Sequence, residues 1–170
     1  MPLNLTKKYN DLLDILGMSE SQRNDSLRRI FNRDIQDNPA FSFNGKPIYP
    51  TPREDGQVAM ENLFNHLTRK EVDKDTHHRE YDPNRSQRLH WIRHHVEKRK
   101  ADNMLYFSVD EPRAPRTYIY DIDEKYVIVL EPRRNGSAYY LLTAYHLEGK
   151  DAARNKIMNK YRRRRLPNLL

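Results

Sequence analysis

The sequence has no cysteine, one tryptophan and five glycines in 170 residues. Lacking cysteine, the chain forms no disulfide, no thiolate metal site and no Cys nucleophile. That absence is neutral on compartment, and the cytoplasm is the default expectation. No run of about 18 apolar residues occurs, which excludes a membrane-spanning helix of the usual kind. Residues 1–11 lack the apolar centre of a signal peptide, so secretion is not expected. Hydrophobic residues make up 36% of the chain, below the roughly 45–50% (counting glycine) usual for globular domains. The length suits one domain with a modest core, or a domain with an appended module.

What the chain has in quantity is charge. Lysine and arginine number 31 against 24 acidic residues, a net of +7. The excess is uneven along the chain. Residues 1–84 carry a net of −2, residues 85–100 a net of +5, residues 101–149 a net of −3 and residues 150–170 a net of +7. Two short segments are therefore basic, and one of them holds His90, His94 and His95. Such islands are either solvated helix surfaces or a footprint for a polyanion.

The first half reads as interrupted helices. Leu5, Leu12, Leu13, Ile15 and Leu16 fit a short amphipathic helix stopped by Gly17. Ser19 or Ser21 caps a second helix carrying Leu27, Ile30, Phe31 and Ile35, ended by Asn38 and Pro39. Asn44-Gly45 marks a tight turn between two short extended pieces, and the nearby prolines argue against a long central strand. A third helix is expected from about Glu54 to Arg69. Residues 70–84 read as a linker or surface loop.

The second half changes character. Ser86 is the expected N-cap of a helix over about 87–100, with Leu89, Ile92 and Val96 as its core stripe. Four strand-like runs follow, at 104–109, 116–122, 125–131 and 138–145. Their short links imply antiparallel pairing. A last helix, from about Gly149 to Arg164, ends in four consecutive arginines. The expected fold is α+β: a helical N-terminal half (1–84) as an accessory region, then helix, four-stranded antiparallel sheet and C-terminal helix (85–170).

Two sets of residues suggest chemistry. On an ideal helix His90 and His94 lie about 40° apart. They suit acid–base work near neutrality, metal ligation at that spacing, or plain exposure. The metal option lacks the glutamate of the zincin pattern. In the last strand, alternation puts Tyr139, Leu141, Thr143 and Tyr145 on one face. A threonine hydroxyl beside a tyrosine suits a phosphate and a stacked base, or simply a well-formed strand.

With Arg85–Ile92 opening a helix, Lys125–Pro132 forming a strand and Tyr139–Tyr145 another, residues 85–145 resemble the phage-associated branch of the barnase, EndoU, colicin and RelE ribonuclease superfamily. The resemblance implies metal-independent RNA cleavage through the 2′-OH, leaving a 2′,3′-cyclic phosphate. It places catalytic roles on Arg88, His90, Thr143 and Tyr145, with His94 and His95 as alternatives to His90. It implies no cofactor and no metal, RNA such as tRNA as the partner, and an inhibitory protein if the chain is a toxin. Arg85, Arg93, His94, Lys156, Lys160, Arg162, Arg163 and Arg164 are expected to bind the RNA backbone. Two other readings stay open: a non-catalytic nucleic-acid-binding protein of a phage or mobile element, and a protein-interaction module.

Overall fold

The computed structural model describes residues 2–52, 58–149, 151–166 and 169–170. After a first helical turn, α1 (Pro2–Leu5), residues 6–19 are irregular. The helix expected through Leu12–Leu16 does not form. Leu13 and Ile15 are buried while Leu12 and Leu16 are exposed, a period of two rather than 3.6. The Leu13 amide bonds to the Gln87 carbonyl at 3.0 Å, so tertiary pairing holds this segment extended.

α2 (Glu20–Phe31) starts at Ser19 through a capping box. The Ser19 hydroxyl accepts from the Gln22 amide at 3.2 Å, and the Gln22 side chain accepts from the Ser19 amide at 3.1 Å. Such a cap stabilises a helix by about 1 kcal/mol. The helix widens into a π-helical turn over Asn32–Gln36. The turn places Asp34 inside the protein, beside Arg33 and Arg93.

β1 (Ser42–Phe43) and β2 (Lys46–Pro50) form a hairpin over Asn44 and Gly45, both at positive φ, as a two-residue turn of this type requires. The third helix, α3 (Ala59–Thr68), is shorter than expected. The expected start at Glu54 lies outside the described residues. The segment read as a linker is instead a hairpin, β3 (Arg69–Asp73) with β4 (His78–Tyr81). Its polar sequence reflects exposure on both faces, and the Asp73 carboxylate closes its turn by accepting from the Asp75 and Thr76 amides.

The single helix expected over 87–100 is two short ones, α4 (Pro83–Ser86) and α5 (Trp91–Val96), separated by turns. Ser86 caps neither: it ends α4, and its hydroxyl donates to the Thr68 carbonyl at 2.8 Å. Asp82 caps α4, with Pro83 in the first turn, where proline costs no hydrogen bond. Then come β5 (Met104–Val109), β6 (Arg116–Asp121), β7 (Tyr126–Pro132), β8 (Tyr139–His146) and α6 (Asp151–Arg162).

The sheet expected to be four-stranded and antiparallel is six-stranded and mixed, in the order β1-β2-β8-β7-β6-β5. β5 to β8 pair antiparallel with their neighbours, but β2 adds to β8 in parallel, Ile48 opposite Tyr139 and Pro50 opposite Leu141. Pro50 has no amide hydrogen to extend the ladder. From Leu142 onward that side of β8 has no strand beside it among the described residues.

Both faces of the sheet are covered. Ile119, Tyr126, Ile128 and Leu130 face a core shared with α2, α3, α5, Leu13 and Ile15. Tyr118, Tyr120, Val127 and Val129 alternate to the other face and pack with Phe107 and with Ile157 of α6. Residues on both sides of position 84 thus build one core. No described helix is long and apolar enough to cross a membrane.

Candidate functional site

The open flank of β8 is where polar side chains gather. A cleft of about 300 Å³ there is lined by Asn62 and His66 of α3, Arg79 of β4, Arg85 of α4, and Leu142 and Thr143 of β8. The local folding of α4 explains its shape. Thr68 ends α3 with its hydroxyl on the Phe64 carbonyl, while its own carbonyl accepts from the Asp82 amide and the Ser86 hydroxyl. These buried bonds fix α4 against the end of α3 and aim Arg85 at β8.

Arg85 is held from several sides. Its Nη1 donates to Thr143 Oγ1 at 3.1 Å, to the His66 carbonyl at 3.0 Å and to the Arg69 carbonyl at 3.3 Å. Its Nε meets the Asp82 carboxylate at 3.3 Å. The guanidinium lies 5.8 Å from the centre of the Tyr145 ring. Arg79 donates to the same Arg69 carbonyl at 3.3 Å. Two like charges are therefore drawn together by one oxygen. Burial and the neighbouring Arg85 lower the Arg79 pKa. No carboxylate is among the described residues lining the cleft. A larger groove of about 920 Å³ adjoins it, sharing Asn62, His66 and Arg79 and running along the β3–β4 hairpin past His77 and His78.

The structure brings together Arg85, Thr143 and Tyr145 of the expected residues. A bulge in β8 at Leu142, opposite the step from Val129 to Leu130 of β7, changes how they are reached. Tyr139 and Leu141 share the helix-facing core with Ala144, whereas Tyr145 packs toward α6 with Leu142. The single face expected for Tyr139, Leu141, Thr143 and Tyr145 is therefore split, because one extra residue reverses the alternation beyond it. Burial raises the Tyr145 hydroxyl pKa, with Arg85 opposing.

Arg88 and His90 lie elsewhere. Arg88 donates to the Asn84 carbonyl at 2.8 Å and sits over the Trp91 ring. His90 precedes α5, is 5% exposed, and holds the Lys8 carbonyl through Nε2 at 2.9 Å. Burial lowers its pKa. It lines a separate basic pocket with Lys7, Arg33, Arg93 and His94. There His94 stacks on Tyr9, ring centres 4.2 Å apart, and its pKa falls to about 4 through burial, then His95 and Arg99. Arg93 is paired with Glu97 and Asp34. His95 is buried against Asp121 and the Trp91 carbonyl.

The C-terminal basic island is also partly spent on the protein itself. Lys160 pairs with Glu111, Arg162 donates to Asn159, and Arg164 covers Tyr161. Lys156 and Arg163 are exposed.

Sequence reading missed Arg79 and His66. Arg79 lay in the supposed linker, where the alternation of β4 and the Asp73 turn were the available signals. His66 falls among the apolar positions of α3. Among the described residues no group of three or more His, Asp or Glu side chains is arranged to hold a metal ion. No protein-family model, curated protein or solved structure matches the chain.

Proposed function

We propose that the chain is a metal-independent endoribonuclease whose scissile phosphate sits in the cleft between α4 and β8. The observation that carries this reading is the convergence of Arg79 and Arg85 on the Arg69 carbonyl, beside Thr143, in a cleft with no carboxylate among its described lining residues. A pair of planar guanidiniums with excess positive charge suits a phosphodiester, which accepts two parallel hydrogen bonds from one such fork. As negative charge grows on the phosphate oxygens in the transition state, preoriented donors stabilise it.

His66 is the histidine among the described residues lining this cleft, and the proposal gives it the acid–base role expected of His90. In the proposed step it removes the proton from the ribose 2′-OH. The 2′-oxygen then bonds to phosphorus, and the bond to the 5′-oxygen breaks. The leaving oxygen takes up a proton from water, and protonated His66 later returns its own proton to solvent, giving a 2′,3′-cyclic phosphate and a 5′-OH. Arg85 and Arg79 hold the phosphate, Thr143 orients Arg85, and Tyr145 supports Arg85 from behind.

One observation favours a second reading. His66 is the sole imidazole among the described residues lining the cleft, whereas the reaction moves two protons. A nucleic-acid-binding protein that does not cleave needs only the guanidiniums. The deciding experiment is incubation of the purified protein with labelled RNA in EDTA, scoring 2′,3′-cyclic phosphate ends. Cleavage lost in both His66→Ala and Arg85→Ala supports the enzyme. Salt-dependent binding without any cleavage supports the binder.

A further inference from the structure

A second basic surface lies at the other end of β8. Lys46, Arg113, Arg116, Arg133, Arg134 and Arg165 line a groove of about 980 Å³ together with Tyr140. These cations come from the starts of β2 and β6, the β5–β6 and β7–β8 connections and the tail after α6. Glu131 pairs with Arg116 at 2.6 Å and Asp110 with Arg165 at 3.0 Å. Lys46, Arg113, Arg133 and Arg134 line one concavity with no ion-pair partner among the described residues. The segments that supply them are mildly acidic in total, so no count along the chain reveals the groove.

Its position relative to the proposed cleft is informative. Tyr140 lines the groove and Leu142 lines the cleft. They are two residues apart on one strand, so the groove and the cleft adjoin along β8. Arg133 lies 5.6 Å from the centre of the Tyr140 ring, so a cation stands beside an aromatic side chain in the groove. Such pairs take unpaired bases, which stack on tyrosine while cations follow the backbone.

We infer that this groove is the track for the single-stranded RNA flanking the scissile phosphate, with a base stacked at Tyr140 and adjoining phosphates on Arg133, Arg134 and Arg113. The inference rests on the RNA reading of the cleft and adds to it that the bound strand is unpaired. An acidic polypeptide would also answer the charge, but it makes no use of the Tyr140 ring.

The test uses the full chain and a fluorescent 12-nucleotide RNA made uncleavable by 2′-O-methylation, so that binding is read apart from catalysis. Arg133→Ala/Arg134→Ala should weaken binding about tenfold and flatten the plot of log affinity against log salt by about 1.4, two phosphates at about 0.7 each. Tyr140→Ala should weaken binding at least about fivefold while leaving the salt slope in place, since stacking releases no counterions. The same sequence as a duplex should bind more weakly and ignore Tyr140→Ala. Unchanged affinity and slope in the double arginine variant overturn the track. So does a duplex that binds as tightly as the single strand, or polyglutamate that displaces the RNA at equal charge. If the parent protein binds this oligonucleotide with these dependences yet cleaves no unmodified RNA, the nuclease reading fails and the track stands.

Discussion

Arg85 Nη1 donates to Thr143 Oγ1 at 3.1 Å, joining residues 58 positions apart. The bond is possible because Pro50 stops the parallel pairing of β2 at Leu141, leaving the next residues of β8 open to a side chain from α4. Two backbone carbonyls, of His66 and Arg69, hold the same nitrogen. The guanidinium is thus fixed by the protein itself, and in the proposed cleavage it would act as preorganised charge.

Arg85→Lys should therefore be a severe change despite keeping the charge. An ammonium has no planar fork and cannot span these acceptors. We expect kcat/KM for RNA cleavage to fall about 100-fold and unfolding free energy to drop by about 1–2 kcal/mol from carbonyls left without donors. Steady-state kinetics and urea unfolding check the two numbers. Full activity in the lysine variant would remove Arg85 from the phosphate site.

Thr143→Val separates orientation from architecture. The isostere keeps the β-branched shape of the strand residue and deletes only the oxygen that Arg85 addresses. Cleavage should fall about tenfold or more, while stability changes by about 1 kcal/mol or less. A variant with parental kinetics would show that the two carbonyls alone orient the guanidinium.

A buried carboxylate anchors the α5 side of the sheet. Asp121 is fully buried, accepts from the Tyr9 hydroxyl, His95 Nε2 at 2.8 Å and the Glu124 amide at 3.2 Å, and meets Lys100 at 3.2 Å. Burial pushes its pKa up, but the bonds from His95 and Tyr9 and that from the Glu124 amide outweigh it and hold it below the usual carboxylate range. Asp121→Asn leaves buried donors facing an amide and should cost about 3–5 kcal/mol, read by urea unfolding at neutral pH. Because the folded pKa is depressed, the carboxylate's stabilising contribution is present above the unfolded value and lost as pH falls below it. The variant's stability should accordingly depend less on pH in the acid range.

How far these features were legible depends on whether their cause is local. β5 to β8 are readable because Tyr118, Ile119, Tyr120 and their neighbours alternate between two cores, a period visible in a short window. The β2–β8 pairing is not, since Ile48 and Tyr139 are joined by nothing near either in sequence. The β3–β4 hairpin hides in polar residues because both of its faces are mostly exposed. At the site, the strand that carries Thr143 was legible, but the pairing of Arg85 with it was not: it depends on the short α4 turn, which begins in the segment read as a linker, and on β2 leaving β8 open past Leu141. The reversal of facing past the bulge depends on one unpaired residue. His90 shows how a linear reading and a fold can point to different places: a histidine beside arginines invites an acid–base role, while in the fold its imidazole holds the Lys8 carbonyl inside the protein, away from the α4–β8 cleft.

His90→Ala should consequently act on stability more than on turnover. The ring is buried and its removal leaves a carbonyl without its donor and a small void, a loss of about 2–3 kcal/mol. Cleavage by the folded variant, measured at a temperature well below its transition, should match the parent. A large fall in kcat with unchanged stability would return His90 to the chemistry.

His94 gives the protein a specific pH dependence. Its pKa in the folded state is lowered to about 4 by burial, then by His95 and Arg99, while the unfolded chain protonates it near the ordinary value of about 6.5. Between those values the unfolded state binds more protons than the folded one. Stability is therefore complete above the unfolded pKa and declines as pH falls through the window toward about 4. His90 and His146 are shifted in the same direction, so some decline persists without His94. His94→Phe keeps an aromatic ring to stack on Tyr9 and cannot titrate. Its urea-unfolding free energy, taken at several pH values across the window, should fall less steeply than the parent's. Parallel curves for the two proteins would mean that His94 takes up its proton equally in both states and that its burial against Tyr9 does not set the pH dependence.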